Sequence, residues 1–168
     1  MRILNLKANK ESFHSVPFNR KGLSIILGKR EDKSNTDIKN TYNSVGKSLL
    51  IRIIHFCLGS NSISEFKEKI PGWIFVLEFE ISGKIYISER QTSGTQKLKL
   101  NSVDISLEDF RESFEPILFE IREPVKFLRF RSLISRFIRP YRASYESYDK
   151  YVRKEEDYAK QLCNAYLL

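Results

Sequence analysis

The chain has 168 residues, a net charge of +8, two Cys and 41% hydrophobic residues, with 12 Phe and 8 Tyr among them. That length suits one domain burying roughly 70% of its unfolded surface, and this much aromatic surface excludes a disordered chain. Two cysteines exclude a disulfide framework and point to the cytoplasm, while Arg52 and His55 interrupt the longest apolar run well short of a membrane span.

The first 20 residues carry Arg2, Lys7, Lys10 and Arg20 and no apolar signal core. Ile3 to Leu6 and Val16 to Phe18 are short apolar segments that predict strands. Arg20-Lys21-Gly22 predicts a turn into Leu23-Ser24-Ile25-Ile26-Leu27, whose nearly continuous apolar run predicts a central strand covered on both faces. The charges of Lys29 to Asn40 nearly cancel, which fits a solvated surface loop or a flap beside a bound nucleotide.

Asn43-Ser44-Val45-Gly46-Lys47-Ser48 then precedes an apolar helix from Leu49 to Leu58, with Gly59 placed to end it through a left-handed cap. A strand, a loop ending in Gly-Lys-Ser and a helix make a phosphate-binding unit. Backbone N–H groups surround the phosphates, the Lys reaches their terminal oxygens, and the Ser hydroxyl ligates Mg²⁺. The helix dipole adds to the same anion site. Asn43, Ser44, Val45, Gly46, Lys47, Ser48 and Leu49 are therefore the candidate nucleotide-binding residues, with Ser48 the candidate metal ligand and ATP with Mg²⁺ the implied cofactors. Thr41 stands where the usual pattern has its first Gly. Cys57, inside the apolar helix, reads as a buried reduced thiol.

Beyond Pro71-Gly72, the residues Phe75, Leu77, Phe79 and Ile81 alternate with Val76, Glu78 and Glu80, the period of a half-buried strand. Ser82-Gly83 turns the chain into a partner strand from Lys84 to Glu89. Ile74 to Glu78 resembles a metal-linked carboxylate strand only until Glu80, which continues the alternation without an Asp-Glu pair. Lys97 to Asn101 and Val103 to Ile105 predict a further hairpin around Asn101-Ser102. Ser106 predicts an N-cap with acids in the first turn of the next helix, which Pro116 should break or kink near Glu115.

Between Arg122 and Arg142 seven basic residues face one acid, Glu123, carrying +6 of the total charge. Lys126, Arg129, Arg131, Arg136, Arg139 and Arg142, interleaved with Phe127, Phe130, Phe137 and Tyr141, are the nucleic-acid candidates. Leu133, Ile134, Phe137 and Ile138 recur at helical spacing, so a basic amphipathic helix packed on the domain explains the same pattern. A stripe from Tyr148 through Tyr151, Tyr158, Ala159 and Leu162 to Tyr166 predicts a helix of about two dozen residues. It runs to Leu167-Leu168 as though a longer protein continued.

The order of these features, with Phe13-His14-Ser15-Val16-Pro17-Phe18 in the first hairpin, resembles the N-terminal lobe of ABC-type ATPase heads of the SMC, RecF and RecN kind. Asn-Ser-Val-Gly-Lys-Ser-Leu-Leu with Phe130-Arg131-Ser132-Leu133-Ile134-Ser135-Arg136-Phe137-Ile138-Arg139 looks like a bacterial family of coiled-coil ATPases found in ABC-three-component defence systems. The resemblance implies a mixed α/β (α+β) P-loop lobe with antiparallel hairpins, a central strand–loop–helix unit and C-terminal helices. Asn43, Gly46, Lys47 and Ser48 match that family's loop, Ser44 replaces its second Gly, and Gly28 would be a displaced strand-end glycine with Lys29 to Asn40 inserted after it. The signature segment, the Asp-Glu strand and the switch His of such ATPases are absent from this sequence. Gln91, Gln96 and Gln161 are the only candidates for the glutamine of the Mg²⁺ site.

Two functions follow. One is an ATP-binding half-head of an enzyme acting in DNA repair or defence, whose hydrolysis requires a C-terminal lobe and a head-to-head homodimer. The other is a non-catalytic module whose basic segment binds nucleic acid or a protein partner. A stand-alone small kinase lacks both a lid arginine pattern and a substrate carboxylate with context.

Overall fold

A computed structural model describes residues 1–27, 46–93, 97–123, 125–140, 145 and 155–168. The strands are β1 (Arg2–Ala8), β2 (Val16–Pro17), β3 (Ile74–Ile81), β4 (Lys84–Gln91), β5 (Lys97–Leu100) and β6 (Val103–Ser106). The helices among the described residues are α1 (Lys47–Cys57), α2 (Ser64–Lys69), α3 (Leu107–Phe119), α4 (Phe130–Ile134) and α5 (Asp157–Tyr166). The six strands form one sheet in the order β2-β1-β3-β4-β5-β6, with every neighbouring pair antiparallel. The class is mixed α+β. None of these helices is long and apolar enough to cross a membrane.

The alternation in β3 determines which face is covered. Phe75, Leu77, Phe79 and Ile81 are buried, and the residues between them are half-exposed. Helices α1 and α3 cover that inner face, bringing Ile53, Phe56 and Cys57 of α1 and Phe110 and Phe114 of α3 into one core. Aromatic rings pack there edge to face, Phe110 on Phe114 at 4.8 Å and Tyr86 on Phe114 at 5.1 Å. The two hairpin turns form as expected, with positive φ at Ser82 and Gly83 between β3 and β4 and at Asn101 and Ser102 between β5 and β6. Ser106 caps α3, its Oγ accepting the Asp109 N–H at 3.0 Å.

Four expectations are corrected. Leu23 to Leu27 forms no strand, and Leu23, Ile25 and Leu27 are 76%, 71% and 73% exposed. No described strand lies alongside to accept its ladder, so an apolar run alone did not make it central. Pro116 neither ends nor splits α3, which runs on to Phe119. The proline costs the hydrogen bond its N–H would make, but buried Phe110 and Phe114 hold the helix against the sheet. Among its described residues the basic segment holds one helix, the five-residue α4, where Leu133 and Ile134 are buried, while Phe137 beyond it is exposed. The last helix starts at Asp157 after extended backbone at Glu156 and spans ten residues; it buries Ala159 and Cys163 and exposes Tyr158 and Tyr166.

Candidate nucleotide-binding loop and its surroundings

Gly46 stands at the N-cap of α1 with φ 80° and ψ 7°, a left-handed conformation that favours glycine. A Cβ there would meet nothing within 4 Å, so the requirement for glycine is conformational. The Gly46 carbonyl accepts the Leu50 N–H at 2.9 Å, which opens the helix. Lys47 and Ser48 occupy its first turn, and Ser48 and Leu49 are exposed. No acidic side chain lies in that turn, so none offsets the positive end of the eleven-residue helix. Asn43, Ser44 and Val45 lie outside the described residues, as do Gly28, Lys29 to Asn40 and Thr41. Ser48, the residue expected to ligate Mg²⁺, lies exposed on the first helical turn. Among the described residues no three His, Cys, Asp or Glu side chains gather as a further metal site.

The far end of α1 is anchored in the core. Gly59 adopts φ 75°, its N–H reaches Phe56 O at 3.2 Å and the Ser60 N–H reaches His55 O at 3.3 Å, the two bonds of a Schellman cap. A Cβ on Gly59 would lie 2.9 Å from Phe110 Cδ1, so helix and α3 touch where the glycine stands. From β4, Ser88 Oγ donates to Cys57 O at 2.6 Å, and Arg90 Nη1 donates to Phe56 O at 2.5 Å and to Ser60 O at 2.6 Å. Arg90 is 2% exposed and stacks on the Phe56 ring at 3.9 Å. Burial lowers its pKa to about 10, which leaves it cationic at neutral pH. Burial also pushes the Cys57 thiol up to about 12, as expected of an inert reduced cysteine.

His55 is buried on α1, and Arg131 Nη2 donates to its Nε2 at 2.7 Å. Burial first, then the positive charges of Arg131 and Arg90, lower the His55 pKa to about 3, so the imidazole is neutral and serves Arg131 as acceptor. In the sequence Arg52 and His55 stand out only as polar interruptions of an apolar run. Their spacing of three residues on one helix face was the available signal.

The basic segment is largely tied to the protein itself. Arg129 pairs with Glu112 at 3.0 Å and Glu115 at 3.3 Å, while Glu115 also accepts the Phe130 N–H at 2.8 Å. The Arg136 side chain is 5% exposed; it pairs with Glu155 at 2.7 Å and donates to Ser132 O at 2.5 Å. Lys126 lies 4.9 Å from the Phe127 ring and Arg139 5.9 Å from the Tyr145 ring. Arg142 is outside the described residues. Arg129, Arg131 and Arg136 thus bind α3, α1 and the segment before α5. Of the glutamines, Gln91 donates to Ser93 Oγ at 3.2 Å, Gln161 lies on α5, and Gln96 is not described.

Among the described residues, two of the clefts beyond the loop are lined by charged side chains of α1, α3 and α4. One of about 560 Å³ between α3 and α4 is lined by Glu108, Arg111, Glu112, Glu115 and Arg129, its acids and bases mutually paired in part. The other, of about 360 Å³, is lined by Arg52, His55, Arg131 and the segment from Ser60 to Glu65. Neither a protein-family model nor a curated protein matches the chain.

Proposed function

We propose that the chain is the ATP-binding lobe of an SMC-like ATPase in a DNA-linked process, repair or defence, completed by a C-terminal lobe and by pairing of two heads. The observation that carries the reading is the left-handed Gly46 placing Lys47 and Ser48 on the first turn of a helix whose other end is clamped in the core. Such a turn meets phosphate with N–H groups, an ammonium and a hydroxyl. A second feature supports incompleteness: the apolar side chains of Leu23, Ile25 and Leu27 lie in water in the segment leading to the loop. A lobe that adds strands there would cover them and supply the residue that activates water. Lys47 then neutralises phosphate charge and Ser48 holds Mg²⁺, the metal supplying charge compensation when bound. The ion pairs of Arg129 and Arg136 give the basic segment a structural use, which favours this reading over a separate nucleic-acid module.

Titration of the whole chain with ATP and Mg²⁺ tests the proposal. Binding without turnover is expected, and Lys47→Ala should weaken it about tenfold or more by removing one charge-assisted contact. Equal affinity of the two proteins, or none for either at millimolar ATP, would sink the half-head reading.

A further inference from the structure

We propose that the cleft at the C-terminal end of α1 is a second anion site, separate from the Gly46–Ser48 turn, which takes a tetrahedral oxyanion of the phosphate class. Its walls come from three parts of the chain. Arg52 projects from α1, Arg131 from α4, and the turn from Ser60 to Ser64 closes the third side. Two guanidinium groups therefore meet at a cleft of about 360 Å³ that holds one carboxylate, Glu65, paired to Arg52 at 2.6 Å. His55 adds no charge, since it accepts from Arg131, and it sets the direction of that guanidinium.

The hydrogen bonding of the turn sorts donors from acceptors. Gly59 O accepts from Arg111 Nε at 2.9 Å, Ser60 O from Arg90 Nη1 at 2.6 Å, and Asn61 O from Ser60 Oγ at 3.1 Å. Asn61 Oδ1 accepts from Arg111 Nη2 at 2.8 Å, which leaves the Nδ2 amide as the other end of that side chain. Arginines behind the turn thus engage three of these acceptors, Gly59 O, Ser60 O and Asn61 Oδ1. Asn61, Ser62 and Ser64, all exposed, line the cleft and bring an amide and two hydroxyls to its wall. Two guanidinium groups, an amide and two hydroxyls from separate parts of the chain lining one cavity form a complement to an oxyanion with lone pairs on every side. Ser48 and His55 are seven residues apart on α1, about 10 Å along the axis, so one phosphate group does not fill both places.

The test uses the whole chain carrying Lys47→Ala, so that phosphate at the loop does not contribute, and follows backbone and side-chain amides by NMR during titration with inorganic phosphate. Saturable shifts at Asn61, Ser62 and Ser64 are expected, absent with chloride at equal ionic strength. Asn61→Asp keeps the acceptor that Arg111 uses and replaces the cleft donor by a carboxylate; affinity should fall about tenfold or more. Ser62→Asp, on an exposed turn residue, should do the same without touching the arginines. Displacement of phosphate by phosphoserine assigns the site to a small phosphorylated ligand, displacement by a short unphosphorylated DNA strand assigns it to a nucleic-acid phosphate, and either sustains it. Absence of saturable shifts, identical shifts with chloride, or unchanged affinity in both aspartate variants overturns it. Loss of ATP binding in Lys47→Ala bears on the loop alone, so the two proposals fail independently.

Discussion

His55 is a buried acceptor whose neutrality the fold enforces. Its folded pKa, about 3, lies below the ordinary 6.5 of an unfolded chain, so the unfolded state takes up the proton first. The stability this residue contributes is therefore complete above about pH 6.5 and is lost as the pH falls toward 3. Thermal melts across that range should show acid destabilisation on the order of a few kcal/mol that His55→Gln, which keeps an acceptor for Arg131, largely removes. A wild-type slope equal to that of His55→Gln would show that other groups carry the acid response. Arg90 belongs to the same neighbourhood for a different reason: it donates to the Phe56 carbonyl in the last turn of α1 and to the Ser60 carbonyl just beyond the helix. Nothing in the alternation of β4 distinguishes this arginine from a solvated one, and only the approach of α1 makes it a core residue.

At the level of elements, strands with a strict period of two are where they were expected, because one buried face constrains every second residue. β3 shows this with Phe75, Leu77, Phe79 and Ile81. Continuous apolar runs behaved less predictably. Leu49 to Leu58 became the body of α1, whereas Leu23 to Leu27 lies exposed, because a strand needs a neighbour to take its backbone hydrogen bonds and a helix does not. The double substitution Ile25→Ser with Leu27→Ser should accordingly change the stability of this chain by no more than about 0.5 kcal/mol in a urea melt. A loss of several kcal/mol would mean that the segment is packed in solution. In α3, the aromatic face around Phe110 and Phe114 outweighs the local cost of Pro116.

Over the whole molecule, the buried side chains form a main core between the sheet and α1 with α3, and a small satellite of Ile121, Leu128, Leu133 and Cys163 under α5. Burial of apolar surface is the principal stabilising contribution, so α5 should open at lower free energy than β3, β4 or the buried half of α1. Native-state hydrogen exchange checks this, with faster exchange expected for the α5 amides than for those of β3; equal protection would indicate one cooperative unit. The firmly packed end of α1 and its exposed first turn divide the helix between scaffold and candidate site, giving a rigid base to Lys47 and Ser48.

The strand alternation, the two hairpin turns, the Ser106 cap, the Gly59 stop and the Gly-Lys-Ser at a helix start were all legible in the amino-acid order. Each of these rests on conformational preferences of residues close together in the chain. Long-range packing alone buries Arg90 and His55, turns Arg129 and Arg136 to Glu112 and Glu155, leaves Leu23 to Leu27 without a strand partner among the described residues, and brings Arg52, Arg131 and the Ser60–Ser64 turn to one cleft. Those outcomes depend on which distant segments meet, and the energy of a charge or an apolar side chain is set by the surroundings that such a meeting creates.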